Sequence, residues 1–261
     1  MNTREQQLQA FGRLLDIMDE LRLKCPWDKK QTFESLRHLT IEETYELGDA
    51  ILNNDFQEIK KELGDVLLHI VFYAKIGSET NDFDIADVAN TIAEKLIYRH
   101  PHIYSDVVVE NENDVKRNWE KLKLKEGKGK SSVLEGVPLS LPSMVKANRI
   151  QEKVAGVGFD WEKPEQVWGK VLEELNELNV EIEKGNTVNI EAEFGDVLFS
   201  MVNYARFINV NPENALERTN KKFINRFQYL EQAAKKIGKS LHDMSLAEMD
   251  IFWEESKKFY K

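Results

Sequence analysis

Apolar residues recur at helical spacing through most of the chain, and one such stretch occurs twice. From Ile190 to Ala205 the sequence reads I-E-A-E-F-G-D-V-L-F-S-M-V-N-Y-A, and from Ile59 to Ala74 it reads I-K-K-E-L-G-D-V-L-L-H-I-V-F-Y-A. In the later copy Ile190, Phe194, Val197, Leu198, Met201, Val202 and Ala205 fall on one stripe, because positions three and four apart share a helix face. Glu193 and Asp196 stand on the edge of that stripe, about 60° apart around the helix. Surface acids normally lie opposite the core stripe, so acids beside it face a neighbouring helix or a cleft.

A second acidic helix precedes each copy. Glu174 and Glu177 lie in K-V-L-E-E-L-N-E-L, and Glu43 and Glu46 in L-T-I-E-E-T-Y-E-L. The second upstream Glu and the first downstream one are 16 residues apart in both sets, and Glu43, Glu46, Glu62 and Asp65 recur 131 positions later. Turns at Asn53-Asn54-Asp55 and at Gly185-Asn186 fold each helix pair back antiparallel and gather four carboxylates. Among 46 acids in 261 residues, one such pattern arises by chance about 0.2 times per chain. Two copies in register, each followed by G-D-V-L and an apolar run, do not.

The remaining pattern is also helical. Residues 4 to 23 carry Leu8, Phe11, Leu14, Leu15, Met18 and Leu21 at helical spacing and stop at Cys25-Pro26-Trp27-Asp28, where Trp27 is expected to pack or to cap a cleft. A helix from Asp84 to Tyr98 leads to Lys95 and Arg99 one turn apart, and another from Asp114 carries Trp119. In His100-Pro101-His102 the proline sets a non-helical turn, which favours a turn or C-cap over a ligand pair. The second half restates this order: Val145 to Val154 with Lys146, Arg149 and Lys153, then Gly156 to Trp161, the acid helices, a helix from Asn211 to Lys236 carrying Lys222 and Arg226, and a closing helix with Trp253. Only Val107 to Val109 hints at a strand. The stretch 125–143, rich in Gly, Ser, Lys and Pro, reads as a linker or mobile arm. Gly129-Lys130-Ser131 within it is not a phosphate loop, since Leu124 stands where that motif needs glycine and no strand precedes it. The expected fold is all-α: two tandem four-helix-bundle-like repeats at 1–124 and 144–261.

Composition narrows the chemistry. Cys25 is the single cysteine, which excludes an internal disulfide and a Cys-rich zinc cluster and suits the cytoplasm. The polar opening and the absence of a run of roughly 20 apolar residues argue against a secretory signal or a membrane span. A net charge of −10 opposes broad binding to nucleic acid or an anionic membrane, so a phosphate-bearing ligand needs local bases and a metal ion. Clustered carboxylates repel one another unless a cation joins them, and oxygen ligands alone select Mg²⁺, with Mn²⁺ as a substitute. A di-iron bundle needs Glu-x-x-His, which neither acid set contains. Lys222 and Arg226, or Lys95 and Arg99 in the first repeat, supply a clamp for phosphate.

The doubled E-E-x-x-E and E-F-G-D-V-L pattern, with C-P-W-D, R-H-P-H, V-G-F-D-W and K-K-F-x-x-R-F around it, resembles the MazG nucleoside triphosphate pyrophosphohydrolases over essentially the whole chain. The resemblance implies an all-α fold, an intertwined homodimer, Mg²⁺ dependence and hydrolysis of nucleoside triphosphates to monophosphate and pyrophosphate with broad base tolerance. It implies catalytic metal ligands at Glu174, Glu177, Glu193 and Asp196, and nucleotide contacts at Lys170, Glu173, Lys222, Arg226 and Trp253. Asn189 departs from the pattern, standing where relatives carry a base. Trp253 suits either stacking on a nucleobase or packing on the bundle. Phe199 and Phe207, away from the main stripe, point to a surface that a second copy covers. Both repeats keep four acids, but Tyr45, His69 and Leu39 of the first correspond to Asn176, Ser200 and Lys170 of the second. The second cleft is therefore expected to be roomier and more basic, making Glu43, Glu46, Glu62 and Asp65 a weaker or structural site. The competing reading is a helical nucleotide-binding or regulatory module whose metal sites are structural and which turns nothing over.

Overall fold

The computed structural model describes residues 1–109 and 132–260, together with Val115, Asn118 and Leu122. Among these residues all regular structure is helical, in two compact units, Met1–Val115 and Lys116–Lys261. Trp119 and Gly129-Lys130-Ser131 lie outside the described residues. Val107 to Val109 form no strand. No described helix is long and apolar enough to cross a membrane.

The first unit contains α1 (Arg4–Lys24), α2 (Phe33–Leu52), α3 (Phe56–Glu79), α4 (Ile85–Arg99) and the single turn α5 (Pro101–Tyr104). The hairpin of α2 and α3 is punctuated as its sequence dictates. Thr32 and Ser35 close a capping box at the start of α2, Asn54 turns with φ 54°, and Asp55 accepts from the amides of Gln57 and Glu58 at 3.0 and 3.1 Å. Met18, Leu36, Val71, Phe72 and Ile76 form the core, where α1 packs on the hairpin. His100 caps α4, as expected, with Nδ1 2.6 Å from the Leu96 carbonyl. Pro101, however, begins α5 at the first helical position, where its missing N–H is harmless.

Trp27 neither packs nor caps a cleft: it is 56 % exposed, while Asp28 is buried. The reason is Arg22, which reaches back to the carbonyls of Asp28 and Gln31 and is anchored by Glu79 at 2.7 Å. These bonds draw the backbone inward and turn the indole out.

The second unit contains α6 (Ser143–Ala155), α7 (Pro164–Lys184), α8 (Thr187–Phe207), α9 (Pro212–Lys236) and α10 (Leu246–Ser256). Pro164 opens α7 and Gly185 closes it at φ 71°, a left-handed conformation that glycine adopts without penalty. Asn186 caps α8, so α7 and α8 form the counterpart of the first hairpin. α6 packs against α8, and α9 against α10. The described part of the expected linker is no free arm. Lys153 donates to the carbonyls of Val133 and Glu135 at 3.2 and 3.3 Å, and Lys146 to that of Leu139 at 2.6 Å, tying residues 132–142 to α6.

Candidate active site

One turn of α7 sets Glu174 beside Glu177, and one turn of α8 sets Glu193 beside Asp196. The hairpin brings oxygens of Glu174, Glu177 and Glu193 within 4.8 Å of one another. Asp196 lies outside that trio but acts on it: Glu193 holds its proton more tightly than an ordinary carboxyl, through burial first and then through Glu177, Asp196, Glu174 and Glu181. In the first unit the trio is Glu43, Glu62 and Asp65, also within 4.8 Å. Glu43 is likewise raised by burial and by Asp65, and Glu46 chiefly by Glu62. Anions set this close suit a divalent cation, and an oxygen-only donor set suits a hard one.

The neighbouring bases differ between the units. Lys61 lies 2.8 Å from Glu62 and from Glu58 and holds Glu62 below the usual carboxylate range. Its counterpart in α8 is Ala192. In the second unit the base comes from α7 instead, where Lys170 bridges Glu173 at 2.8 Å and Glu174 at 2.7 Å.

In the second unit Glu174 and Asp196 open onto space. A cavity of about 560 Å³ is lined by Val154, Phe159, Trp161 and Phe199 and also by Lys170, Glu174 and Asp196, a volume typical of small-molecule sites. Its origin is legible in the repeat offset. In the first unit Phe72 and His69 are buried in the core, with His69 Nδ1 2.7 Å from Thr40 Oγ1 and Thr40 Oγ1 2.6 Å from the Tyr73 hydroxyl. At the same register the second unit has Asn203, Ser200 and Val171. Arg206 fixes the cavity's loop wall, donating Nη1 to Asp160 at 2.8 Å and Nη2 to Asn203 Oδ1 at 2.8 Å.

The MazG nucleotide pyrophosphohydrolase domain matches residues 31–104 and 162–230, once across each carboxylate hairpin. The chain belongs to the MazG family. It is 44 % identical over 250 residues to the Nucleoside triphosphate pyrophosphohydrolase/pyrophosphatase MazG of Thermotoga maritima, covering 95 % of each chain. It is 40 % identical over 258 residues to the Nucleoside triphosphate pyrophosphohydrolase of Escherichia coli, covering 96 % of this chain and 98 % of that one. It is 48 % identical over 252 residues to YabN of Bacillus subtilis, covering 95 % of this chain and 52 % of that one.

Within the second MazG domain not every expected contact meets the carboxylates. Lys222, Arg226 and Trp253 form a separate group on α9 and α10 and do not line the cavity. Arg226 donates from Nε and Nη2 to the Tyr260 carbonyl at 2.9 and 2.8 Å and stands 5.9 Å from the Trp253 ring, which packs on Phe223 at 5.0 Å. Asn189 holds Glu181 at 2.9 Å, and Glu181, also bound by Lys184, is kept below the usual carboxylate range. In the first MazG domain Lys95 and Arg99 lie on α4, while Tyr45 is exposed, so Phe72 and not Tyr45 closes the space there.

The exposed apolar surface also differs in part from the expected one. Phe199 is 42 % exposed, as expected, and lines the cavity, whereas Phe207 is half-buried under the Arg206 guanidinium at 4.6 Å. Phe194, Leu198 and Met201, part of the stripe expected to be core, are exposed as well, and so are their first-domain counterparts Leu63, Leu67 and Ile70. Sequence reasoning missed Gln151, Glu181, Asn203 and Arg206. The offset that aligned the acids also aligns Phe72 with Asn203.

Proposed function

We propose that the protein hydrolyses nucleoside triphosphates to the monophosphate and pyrophosphate at its second MazG domain, with Mg²⁺ and broad base tolerance. The observation that carries this reading is the Glu174, Glu177 and Glu193 trio beside a nucleoside-sized cavity. The printed names of the full-length relatives support it. Water attacks the α-phosphorus, the bond to the bridging oxygen of the β-phosphate breaks, and pyrophosphate leaves. Glu174, Glu177 and Glu193, with Asp196, would hold the cation. When bound, Mg²⁺ would polarise the α-phosphoryl group and acidify a water molecule.

The chain's own contribution is placement. Lys170 holds Glu174 at 2.7 Å, and the apolar cavity seats the nucleoside end so that the α-phosphate meets the carboxylates. The exposed rows at Phe194 and Leu63 support assembly as a homodimer in which a second copy covers them. We assign Lys222, Arg226 and Trp253 to nucleotide contacts made in that dimer, since within one chain they do not line the cavity. The first site, with Lys61 on Glu62 and Phe72 filling the core, is assigned a structural role. Incubation with Mg²⁺ and dGTP or UTP tests the reading through pyrophosphate release. Binding without release would favour a regulatory nucleotide-binding module.

A further inference from the structure

The loop that joins α6 to α7 supplies Phe159, Asp160 and Trp161 to the lining of the second domain's cavity. Phe159 is 79 % exposed and Trp161 45 %, so burial alone does not fix either ring. At the α6 end backbone bonds hold the loop, from Gly158 to the Ala155 carbonyl at 2.9 Å and from Phe159 to that of Val154 at 3.0 Å. At the α7 end the Glu162 and Lys163 amides donate to Gln166 Oε1 at 3.1 and 3.0 Å. Between these ends Asp160 meets Arg206, whose Nη1 donates to Oδ2 at 2.8 Å and whose Nη2 donates to Oδ1 at 2.5 Å. Asp160 Oδ1 also accepts from the Trp161 amide at 2.9 Å. A chain of bonds thus runs from the last turn of α8 to the Trp161 backbone.

Arg206 is itself held. Its Nε and Nη2 donate to Asn203 Oδ1 at 3.2 and 2.8 Å, and its guanidinium lies over the Phe207 ring at 4.6 Å. A fork already in place when it meets its carboxylate fixes both distance and plane, and loses little side-chain freedom in doing so. At the same register the first domain has Lys75, which pairs with Asp19 of α1 at 2.7 Å. The tie between α8 and the loop therefore belongs to the domain that has the cavity.

We propose that Arg206 is a positioning residue for the substrate: through Asp160 it holds the Phe159 and Trp161 wall where the nucleoside packs. This rests on the hydrolase reading above and adds to it the group that sets the shape of the nucleoside site. The carboxylates assigned to the cation lie on α7 and on earlier turns of α8. Loss of the tie should therefore weaken binding and spare the chemical step.

The test is a mutant cycle in the full-length protein with Mg²⁺ and UTP, comprising Asp160→Asn, Arg206→Met and the two together. Each single change should raise KM about fivefold, the upper range for a partly exposed ion pair, with kcat within about twofold of the wild type. The double variant should be no worse than Arg206→Met alone, because both changes remove one tie. Hydrogen exchange read by mass spectrometry should quicken over residues 157–163 in all three variants and stay unchanged over residues 174–196. An unchanged KM in Asp160→Asn would overturn the proposal, and so would KM changes that add in the double variant. A kcat that falls as far as KM rises would also overturn it, since that marks a general loss of structure. Should Arg206→Met fold poorly, Asp160→Asn, which leaves Arg206 on Asn203, decides alone. If the wild type releases no pyrophosphate, the hydrolase reading fails by itself. Hydrogen exchange and calorimetric titration with UTP then decide the tie, and exchange or Kd equal to the wild type in Asp160→Asn would refute it.

Discussion

Restoring the first domain's residue to the second should close the cavity without harming the fold. Phe72 is 3 % exposed in its core, and Asn203 stands at the same register facing open space. In Asn203→Phe the new ring gains about 1.5–3 kcal/mol from burial. It forfeits the bonds from Arg206 to Asn203 Oδ1 at 2.8 and 3.2 Å, worth about 1.5–3 kcal/mol as hydrogen bonds to a charged group. The two nearly cancel, and Arg206 keeps Asp160. A net change within about 1 kcal/mol moves Tm by no more than about 4 °C in a unit of this size. Nucleotide turnover should respond differently, because a phenyl ring and a nucleoside cannot share the space. KM for UTP should rise by more than about tenfold, the equivalent of about 1.4 kcal/mol. The assay is steady-state pyrophosphate release beside a melting curve. Full activity in a folded Asn203→Phe protein would show that the nucleoside does not enter this cavity.

Glu193→Gln should remove nearly all pyrophosphate release while far-UV circular dichroism stays helical, and wild-type turnover would sink the metal assignment. The same variant should be the more heat-stable protein in EDTA at neutral pH. The folded-state affinity of Glu193 for its proton lies above the ordinary value of 4.5, so ionisation opposes folding and the wild type loses that stability as pH rises through the folded-state value. The Tm advantage of Glu193→Gln should thus vanish near pH 4 and grow above it, and an advantage that grows on acidification would contradict the sign. Glu177→Gln should cost far more activity than Glu46→Gln, and the reverse order would move the active site to the first domain. Light scattering at micromolar concentration should give twice the 30.4 kDa chain mass, whereas a monomer would leave the Phe194 and Leu63 rows without the assigned cover.

The sequence was most legible where local chemistry decides. Helix ends at Thr32, Asn54, Asp84, Gly185 and Asn211 follow from capping and from left-handed turns, which need no tertiary information. The carboxylate clusters were legible too, because helix period and hairpin length fix them together. Periodicity identifies an apolar face and says nothing of which body covers it, so Phe194, Leu198 and Met201 read as core yet stand exposed. The second cleft was expected to be the roomier, but the extent of its cavity was not legible, for a related reason. An internal void depends on volumes contributed by α6, α7 and α8 together, and the difference between Phe72 and Asn203 has meaning only once those helices are packed. Arg22 and Arg206 escaped notice because their anchors are 57 and 46 residues away.

The two domains separate properties that the shared motif joins. Both hairpins hold three carboxylates within 4.8 Å, so the demand for a cation is common to them. In the first, Glu62 is 1 % exposed and its Oε2 has no hydrogen-bond partner among the described residues. A buried carboxylate needs a compensating positive charge, and Lys61 supplies part of it by donating to Oε1 at 2.8 Å, which leaves Oε2 for a cation. The pocket described in this unit is lined by Leu15, Met18, Val71 and their neighbours and reaches none of these acids. Either cluster could hold a cation, and the cavity beside Glu174 is what favours the second domain in the reading proposed above. On that proposal the acids are alike in the two domains, so the room beside Asn203 and Ser200, and not the carboxylate count, is what selects the domain that accepts a triphosphate.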